Sequence, residues 1–266
     1  MLTSAIITFR ETLEVVLVIG IILAYLYEIK RKDYAKFVWF GVISGLVLSV
    51  ITAFIFKFFI GEFEGKAEQI FEGISMFAAA ILLTYMIFWM MKKSHVKEIR
   101  EKVSKKVEME HELGLFFLSL VAVLREGVET VIFLGAANFV SKENNLIGAL
   151  IGIVSALILG YLFFFSIKRI NLKLFFNITS ILLTLFAAGL IAHGVHEFQE
   201  ASLLPITIEH VWNTNNIINE NGNFGSILKS LFGYNGDPSL LEIISYFGYL
   251  VSIVFIYRKN VKAKQL

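Results

Sequence analysis

The sequence predicts an all-α integral membrane protein with seven transmembrane helices, the N-terminus outside and the C-terminus in the cytoplasm. Hydrophobic residues make up 57% of the 266-residue chain and charged residues only 17%. Seven apolar stretches are long enough, at about 20 residues, to cross a bilayer. Basic residues cluster after every second stretch. These observations exclude a soluble domain, and the net charge of +2 gives no indication of nucleic-acid binding.

The seven predicted spans follow from the apolar stretches and occupy most of the chain. They cover residues 2–27, 37–60, 67–91, 113–139, 146–167, 172–198 and 240–257. The first lacks the features of a cleavable signal peptide, since no basic residue precedes Arg10 and no small-residue cleavage site follows. We therefore expect it to remain in the mature protein. The chain has no cysteine, which excludes disulfides and thiolate metal sites.

The distribution of lysine and arginine predicts the orientation. Most of the 24 basic residues follow the first, third, fifth and seventh spans, in residues 30–36, 92–106, 168–173 and 258–264. Cytoplasmic loops carry an excess of basic residues. The alternation therefore predicts a multi-pass protein of the cytoplasmic (inner) membrane, and it supports the number of helices independently of hydropathy.

Two Arg-Glu-x-x-Glu motifs indicate an internal repeat. Arg10-Glu11-Thr12-Leu13-Glu14 lies in the first span and Arg125-Glu126-Gly127-Val128-Glu129 in the fourth. The following span of each half begins with a G-x-x-x-G pair, which lets helices approach closely. Three helices per half make the two repeats inverted, an arrangement typical of transporters with a midplane site.

The single transmembrane domain divides into repeat 1 at 1–91, a cytoplasmic loop at 92–112, repeat 2 at 113–199, an outer loop at 200–239, and helix 7 with a cytoplasmic tail at 240–266.

The motif charges lie close to the predicted centre of the membrane. At 1.5 Å per residue, each motif is about 14–24 Å from the start of its helix, near the middle of a hydrocarbon core of about 30 Å. A charged residue at this depth costs about 2.5–3.5 kcal/mol on insertion scales. Three charges in each of two membrane helices therefore indicate a functional site.

Spacing brings the charges of each motif onto one helix face. Arg10 and Glu14 are four apart and the two glutamates three apart, as in the second motif. Four carboxylates and two guanidinium groups leave an excess of negative charge, which favours a cation. Oxygen ligands suit hard ions. Two alternatives remain: internal salt bridges that lock helices 1 and 4 together, and a proton relay through the glutamates.

The end of the sixth predicted helix carries further polar residues. His193 and His196 are each followed four residues later by a carboxylate, Glu197 and Glu200. We interpret this segment as a metal relay at the outer end, with polar helix capping as the alternative. Glu72 in the third helix is a further relay candidate. With Glu62, Glu64 and Glu68 it would form an acidic funnel that concentrates cations, and ordinary solvation of the loop is the alternative for Glu62 and Glu64.

Two connecting segments differ in composition from the apolar spans. The predicted cytoplasmic loop alternates basic and acidic residues, as expected of a solvated surface or a short cytoplasmic helix. The outer loop is rich in Asn and Gly, and residues 224–233 within it predict a short amphipathic helix in the membrane interface.

The paired motifs resemble those of the oxidase-linked high-affinity iron permease family of fungi and bacteria. The second motif is close to the usual Arg-Glu-Gly-Leu-Glu of that family, whereas the first has Thr12 in place of glycine and keeps all three charges. The segment 194–200 is also similar to the family. The resemblance covers helices 1–6.

The resemblance implies inward iron transport by alternating access, with iron as the transported ion and no permanently bound cofactor. Glu11, Glu14, Glu126 and Glu129 would be the iron ligands, and Arg10 and Arg125 would orient them. In the family, iron is commonly delivered as Fe(III) by a partner that oxidises Fe(II). Any such ferroxidase or iron-delivery protein would be a separate extracytoplasmic protein, because the chain has no recognisable oxidase domain.

Other functions stay open at this point. Related family members are assigned to other heavy metals, so a carrier for Mn(II) or Pb(II) is one alternative. An intramembrane di-iron metalloenzyme is another, although such sites usually contain Glu-x-x-His, which neither motif has. A structural or signalling membrane protein is the third. We expect a transporter rather than an enzyme.

Overall fold

The computed structural model describes residues 1–60, 63–90, 103–104, 112–140, 145–165, 172–220 and 222–262. Within these residues the chain is helical and contains no strand. The α-helices are α1 (Leu2–Glu28), α2 (Ala35–Ile60), α3 (Lys66–Met90), α4 (Glu112–Val140), α5 (Asn145–Phe165), α6 (Leu172–Glu200), α7 (Asn223–Phe232) and α8 (Leu240–Lys262). A single 3₁₀ turn, Lys32–Tyr34, connects α1 and α2.

The seven long helices coincide with the seven predicted spans to within a few residues. Four segments of the described chain are long and apolar enough to cross a membrane: Lys32–Phe58, Lys66–Phe88, Ile178–Glu200 and Leu240–Lys259. Helix α1, with 27 residues, is as long as the longest of these and α4, with 29, is longer, but each carries the three charges of its motif. The apolar part of α5, Leu146–Leu162, is shorter. The all-helical membrane class is therefore confirmed, whereas the count of seven spans and their orientation stay predictions.

Some predicted features lie outside the described residues. These are most of the cytoplasmic loop 92–112, Glu62 of the acidic funnel, and the end of the cytoplasmic tail.

Helix pairs form the framework of the bundle. Helix α1 packs most extensively against α5, α4 against α2, and α3 against α6. On α2, Gly41 lies against Ser119 and Gly45 against Leu120, both on α4. A side chain at either glycine would collide with these residues, so the small-residue pair sets the close approach of the two helices.

The same contact recurs in the other half of the chain. On α5, Gly148 lies against Ser4 and Gly152 against Ala5, both on α1. Ser4 and Ala5 stand 115 positions before the α4 residues that receive the first glycine pair. The two motif helices are therefore held by equivalent faces against equivalent partners.

Two hydrophobic clusters lie on either side of the motifs along both helices. One contains Ile7 of α1 and Phe133 of α4, packed with apolar residues of α3 and α6. The other contains Ile19 of α1 and Val123 of α4, packed with apolar residues of α2. The charges at 10–14 and 125–129 fall between the two clusters in each helix, so apolar packing separates the motifs from both ends of the bundle.

The short helix predicted at residues 224–233 is confirmed as α7. It ends at Gly233, whose φ of 66° is the left-handed conformation that glycine adopts at helix ends. Gly233 also lies directly against Gly189 of α6, and α7 packs against both α6 and α1. This docking onto the bundle was not part of the prediction, because the amphipathic pattern shows that one face is apolar but not what covers it.

Candidate metal centre

The first motif forms a buried ionic triad on α1. The side chain of Arg10 is completely buried, and its terminal nitrogens lie 3.3 Å from Glu11 Oε1 and 3.0 Å from Glu14 Oε1. The i,i+4 spacing of Arg10 and Glu14 brings them together on one face of the helix. One guanidinium therefore neutralises part of the charge of two buried carboxylates.

The second motif has the same chemistry on α4 with a different geometry. Arg125 donates from Nε to Glu126 Oε1 at 3.0 Å and from a terminal nitrogen to the same oxygen. Its Nε also lies 3.5 Å from Glu129 Oε1. The side chain of Arg125 is 45% exposed, whereas that of Glu126 is buried.

Carboxylates from the two motifs converge between the helices. Oxygen atoms of Glu11, Glu126 and Glu129 all lie within 4.8 Å of one another, close enough to hold one metal ion. Sequence spacing identified these three residues and Glu14 as the candidate ligands. Glu14 is buried next to Arg10 and does not belong to this group of three.

Each of the three converging glutamates keeps an oxygen without a protein partner. The Oε2 atoms of Glu11, Glu126 and Glu129 are buried and accept no hydrogen bond. A buried carboxylate oxygen without a donor is costly, by about 1–3 kcal/mol or more. The salt-bridge alternative does not account for these oxygens, because each arginine engages the other oxygen, Oε1, of its carboxylates. A bound hard cation would satisfy them.

The backbone around Glu126 is supported by small and hydroxyl side chains. Thr130 donates its hydroxyl to the carbonyl of Glu126 at 2.7 Å. Gly127 lies directly against Ser49 of α2, whose hydroxyl is bonded to the carbonyl of Gly45 at 2.8 Å. The glycine in the second motif therefore allows α2 to pack closely behind the carboxylates.

The two histidines of α6 lie in different environments. His193 Nδ1 lies 3.0 Å from the carbonyl of Gly189, and its buried Nε2 has no protein partner. His196 lies between two carboxylates, 3.2 Å from Glu200 and 3.1 Å from Glu242. The i,i+4 pairing is therefore observed for His196 with Glu200, while the bond recorded for His193 is to the backbone.

The remaining acidic candidates are less enclosed. Glu72 of α3 and Glu197 of α6 are half-buried, and Glu64 and Glu68 are exposed. Near them α3 and α6 are joined by Phe77 and Phe198, whose ring centroids are 5.4 Å apart. The relay and the acidic funnel stay predictions.

Sequence reasoning missed Glu242, at the start of α8. This carboxylate is buried and accepts hydrogen bonds from Asn235 at 2.7 Å and from the backbone of Ser239 at 3.2 Å, in addition to its contact with His196. The only local signal was a lone acidic residue in the first turn of an apolar helix. Its imidazole partner is 46 residues away in the sequence, beyond the reach of any helical spacing rule.

Comparison with known proteins gives a consistent result over the whole chain. The model of the iron permease FTR1 family matches residues 1–261. A protein named ferrous iron permease EfeU, from Escherichia coli O6:K15:H31 (strain 536 / UPEC), is 32% identical over 258 residues, which cover 94% of this chain and 93% of the relative. A protein of the same name from Yersinia pestis is 31% identical over 264 residues, covering 97% of this chain and 93% of that relative. No solved structure matches the chain significantly.

Proposed function

The chain belongs to the iron permease FTR1 family, and we propose that it moves iron inward across the cytoplasmic membrane through the carboxylates of its two Arg-Glu-x-x-Glu motifs. One observation carries the proposal. Oxygens of Glu11, Glu126 and Glu129 converge from two helices, and each residue keeps a buried oxygen without a partner. Arg10 and Arg125 hold the glutamates in position and balance part of their charge.

The charge of the site supports a divalent ion. Four glutamates and two arginines have a formal charge that one divalent cation neutralises, whereas a trivalent ion would leave an excess positive charge in a region of low dielectric. The relatives in Escherichia coli and Yersinia pestis are named ferrous iron permeases. We therefore infer that Fe(II) is the ion that occupies the site. Oxygen ligands would hold it without a resident cofactor.

The arrangement of the helices supports transport by alternating access. The equivalent contacts of Gly41 with Ser119 and of Gly148 with Ser4 are those expected of two three-helix repeats that share one framework. With seven spans and the N-terminus outside, the repeats are inverted and the motifs meet near the midplane, as in many secondary transporters.

The polar end of α6 would serve the uptake path. His193, His196 and Glu197, with Glu72 of α3, offer nitrogen and oxygen donors between the segment 200–239 and the buried motifs. The buried Nε2 of His193 supports this role. A separate extracytoplasmic protein that delivers Fe(II) would meet the chain at this end. The ferroxidase that the resemblance implies would instead require a site for Fe(III).

Uptake of radiolabelled iron tests the proposal. Cells without their own iron importers would express the wild type, Glu126→Gln or Glu112→Gln, with membrane levels measured for each. Glu112 is an exposed carboxylate at the start of α4, outside the motif, and serves as the matched control. We expect iron uptake by the wild type and by Glu112→Gln, and none above the empty vector for Glu126→Gln. Unlabelled Mn(II) and Pb(II) as competitors test the other heavy metals.

Two results would contradict the proposal. The first is iron uptake by cells expressing the wild type that is no higher than uptake by cells with the empty vector. This comparison would be made under oxidising and under reducing conditions, with any oxidase partner co-expressed. The other is full uptake by Glu126→Gln. An intramembrane di-iron enzyme would instead purify with tightly held, stoichiometric iron.

A further inference from the structure

The two motifs are alike in sequence and unequal in exposure. Arg10 is completely buried, whereas the side chain of Arg125 is 45% exposed. The side chain of Glu14 is 9% exposed and that of Glu129, its counterpart, 18%. A guanidinium in the middle of a membrane helix is stable when it faces water or polar protein groups rather than lipid. The second motif is therefore the more accessible of the two, and the first is the more enclosed.

The group of three converging carboxylates also draws unequally on the two motifs. It contains the first glutamate of both motifs, Glu11 and Glu126, but of the second glutamates only Glu129. Glu14 is held by Arg10 at 3.0 Å, while the corresponding distance from Arg125 to Glu129 is 3.5 Å. The ion pair between the arginine and the second glutamate is thus shorter in the first motif. Glu14 Oε1 is nevertheless buried and accepts no hydrogen bond, so Glu14 also has an oxygen that a cation could use.

The supporting framework does not share this inequality. Gly41 against Ser119 and Gly148 against Ser4 are equivalent contacts, and they fix α4 and α1 to their partners in the same way. These two contacts therefore do not account for the difference in exposure between the motifs.

Resting on the proposed transport function, we propose that the chain contains two overlapping three-carboxylate sites for a divalent cation. Both sites use Glu11 and Glu126. Glu129 completes the first site, which the structure presents, and Glu14 completes the second. When the first motif opens, Arg10 releases Glu14 to the cation and Arg125 draws Glu129 away, so the two motifs exchange their roles.

The exchange requires few interactions to change. The cation keeps two of its three carboxylates while it moves, so only one metal–oxygen interaction is replaced. The carboxylate that leaves the cation is received by its own arginine four residues away, which avoids a buried unpaired charge. The exchange therefore links movement of the ion to opening of the opposite motif. No intermediate state contains a buried carboxylate without a cation or an arginine beside it.

Binding and transport measured separately test the two-site proposal. Full-length protein in lipid nanodiscs would be titrated with Fe(II) under anaerobic conditions, and the same variants in proteoliposomes would be assayed for transport. Glu129→Gln should lose at least about tenfold in affinity, the lower limit for the loss of a metal-site partner. Glu14→Gln should lose clearly less affinity than Glu129→Gln, because it removes a nearby negative charge but no ligand of the site that the structure presents. Neither variant should transport Fe(II).

Two further variants keep the test decisive. Glu14→Asp retains the negative charge beside buried Arg10 and so protects folding, and it should show normal binding with reduced transport. Glu126→Gln removes a ligand common to both sites and should lose binding and transport together.

The outcomes separate this proposal from the transport function itself. Equal loss of affinity in Glu14→Gln and Glu129→Gln would mean one four-carboxylate site and would overturn the two-site proposal, while the iron site remained. Wild-type binding by Glu129→Gln would also overturn it. Wild-type binding by Glu126→Gln would instead remove the proposed iron site as a whole.

Discussion

The imidazole of His196 and the carboxylate of Glu242 lie 3.1 Å apart and join α6 to α8. His196 is held on its other side by Glu200, and Glu242 also binds Asn235 and Ser239. Glu242 therefore connects a helix that is central in the bundle, a peripheral helix, and the segment between them. A buried carboxylate with several donors is destabilising to remove, because each donor loses its partner.

Replacing Glu242 with alanine should lower the stability of the folded protein. The side chain is buried and its donors include a half-exposed histidine, so we expect a loss of about 1–3 kcal/mol. Thermal unfolding of the purified protein in one detergent would show a lower melting temperature. Glu209→Ala is the matched control, because Glu209 is an exposed carboxylate in the same connecting segment. Equal melting temperatures for the two variants would show that the His196–Glu242 contact contributes little.

The glycine contacts predict a second difference in stability. A Cβ atom at Gly148 would collide with Ser4 and the backbone of Met1, whereas one at Gly248 of α8 meets nothing within 4 Å. Gly148→Ala should therefore cost about 1–3 kcal/mol, the usual range for overpacking. Gly248→Ala should leave the melting temperature unchanged or slightly raised. If both variants have the melting temperature of the wild type, the close approach of α1 and α5 is not needed for stability.

The long helices and the motif residues were the predictable part of this protein. Hydrophobic stretches and the Arg-Glu-x-x-Glu spacing identified all seven long helices and brought Glu11, Glu126 and Glu129 into one proposed site. These features depend on local periodicity, which the sequence displays directly. The short helix α7 was predictable for the same reason. Its apolar and polar residues fall on opposite faces of a helix, and Gly233 marks the end of that helix.

The relationships between distant segments were not predictable. Glu242 is paired with His196 through tertiary packing, and no spacing rule connects them. The unequal exposure of Arg10 and Arg125 is invisible in two motifs with identical charges, because it depends on which surfaces cover each helix. The same holds for Glu14, whose place outside the group of Glu11, Glu126 and Glu129 depends on the packing around these side chains.

Metal binding should stabilise the folded protein through the motif carboxylates. A ligand at a concentration of 100 times its dissociation constant stabilises the native state by about 2.7 kcal/mol. Under anaerobic conditions, Fe(II) should therefore raise the melting temperature of the wild type and of the control Glu112→Gln. The rise should disappear in Glu126→Gln, which lacks one of the converging carboxylates, and addition of a chelator should reverse it in the wild type. A rise of the same size in Glu126→Gln would place the stabilising ion elsewhere.

Gly127 and Ser49 should show a strong energetic coupling, because they touch across the helix pair that carries the second motif. A Cβ atom at Gly127 would collide with the hydroxyl of Ser49 and would lie 2.5 Å from its Cβ. Gly127→Ala should therefore push α2 away from α4, at a cost of about 1–3 kcal/mol, and should disturb the carboxylates on either side of it. Because Ser49→Gly removes both colliding atoms, Ser49→Gly combined with Gly127→Ala should recover both the melting temperature and iron uptake.

A matched pair shows whether the recovery is specific to this contact. Gly41 lies on the same helix as Ser49 but against Ser119, so Ser49→Gly should not rescue Gly41→Ala. Residues in direct contact typically couple by about 0.5–3 kcal/mol, whereas separated residues act additively. Recovery of iron uptake only in the Gly127→Ala background would tie the close approach of α2 to the geometry of the candidate metal site. Rescue in both backgrounds would mean that Ser49→Gly merely loosens the helix pair, and rescue in neither would show that the collision at Gly127 does not determine the site.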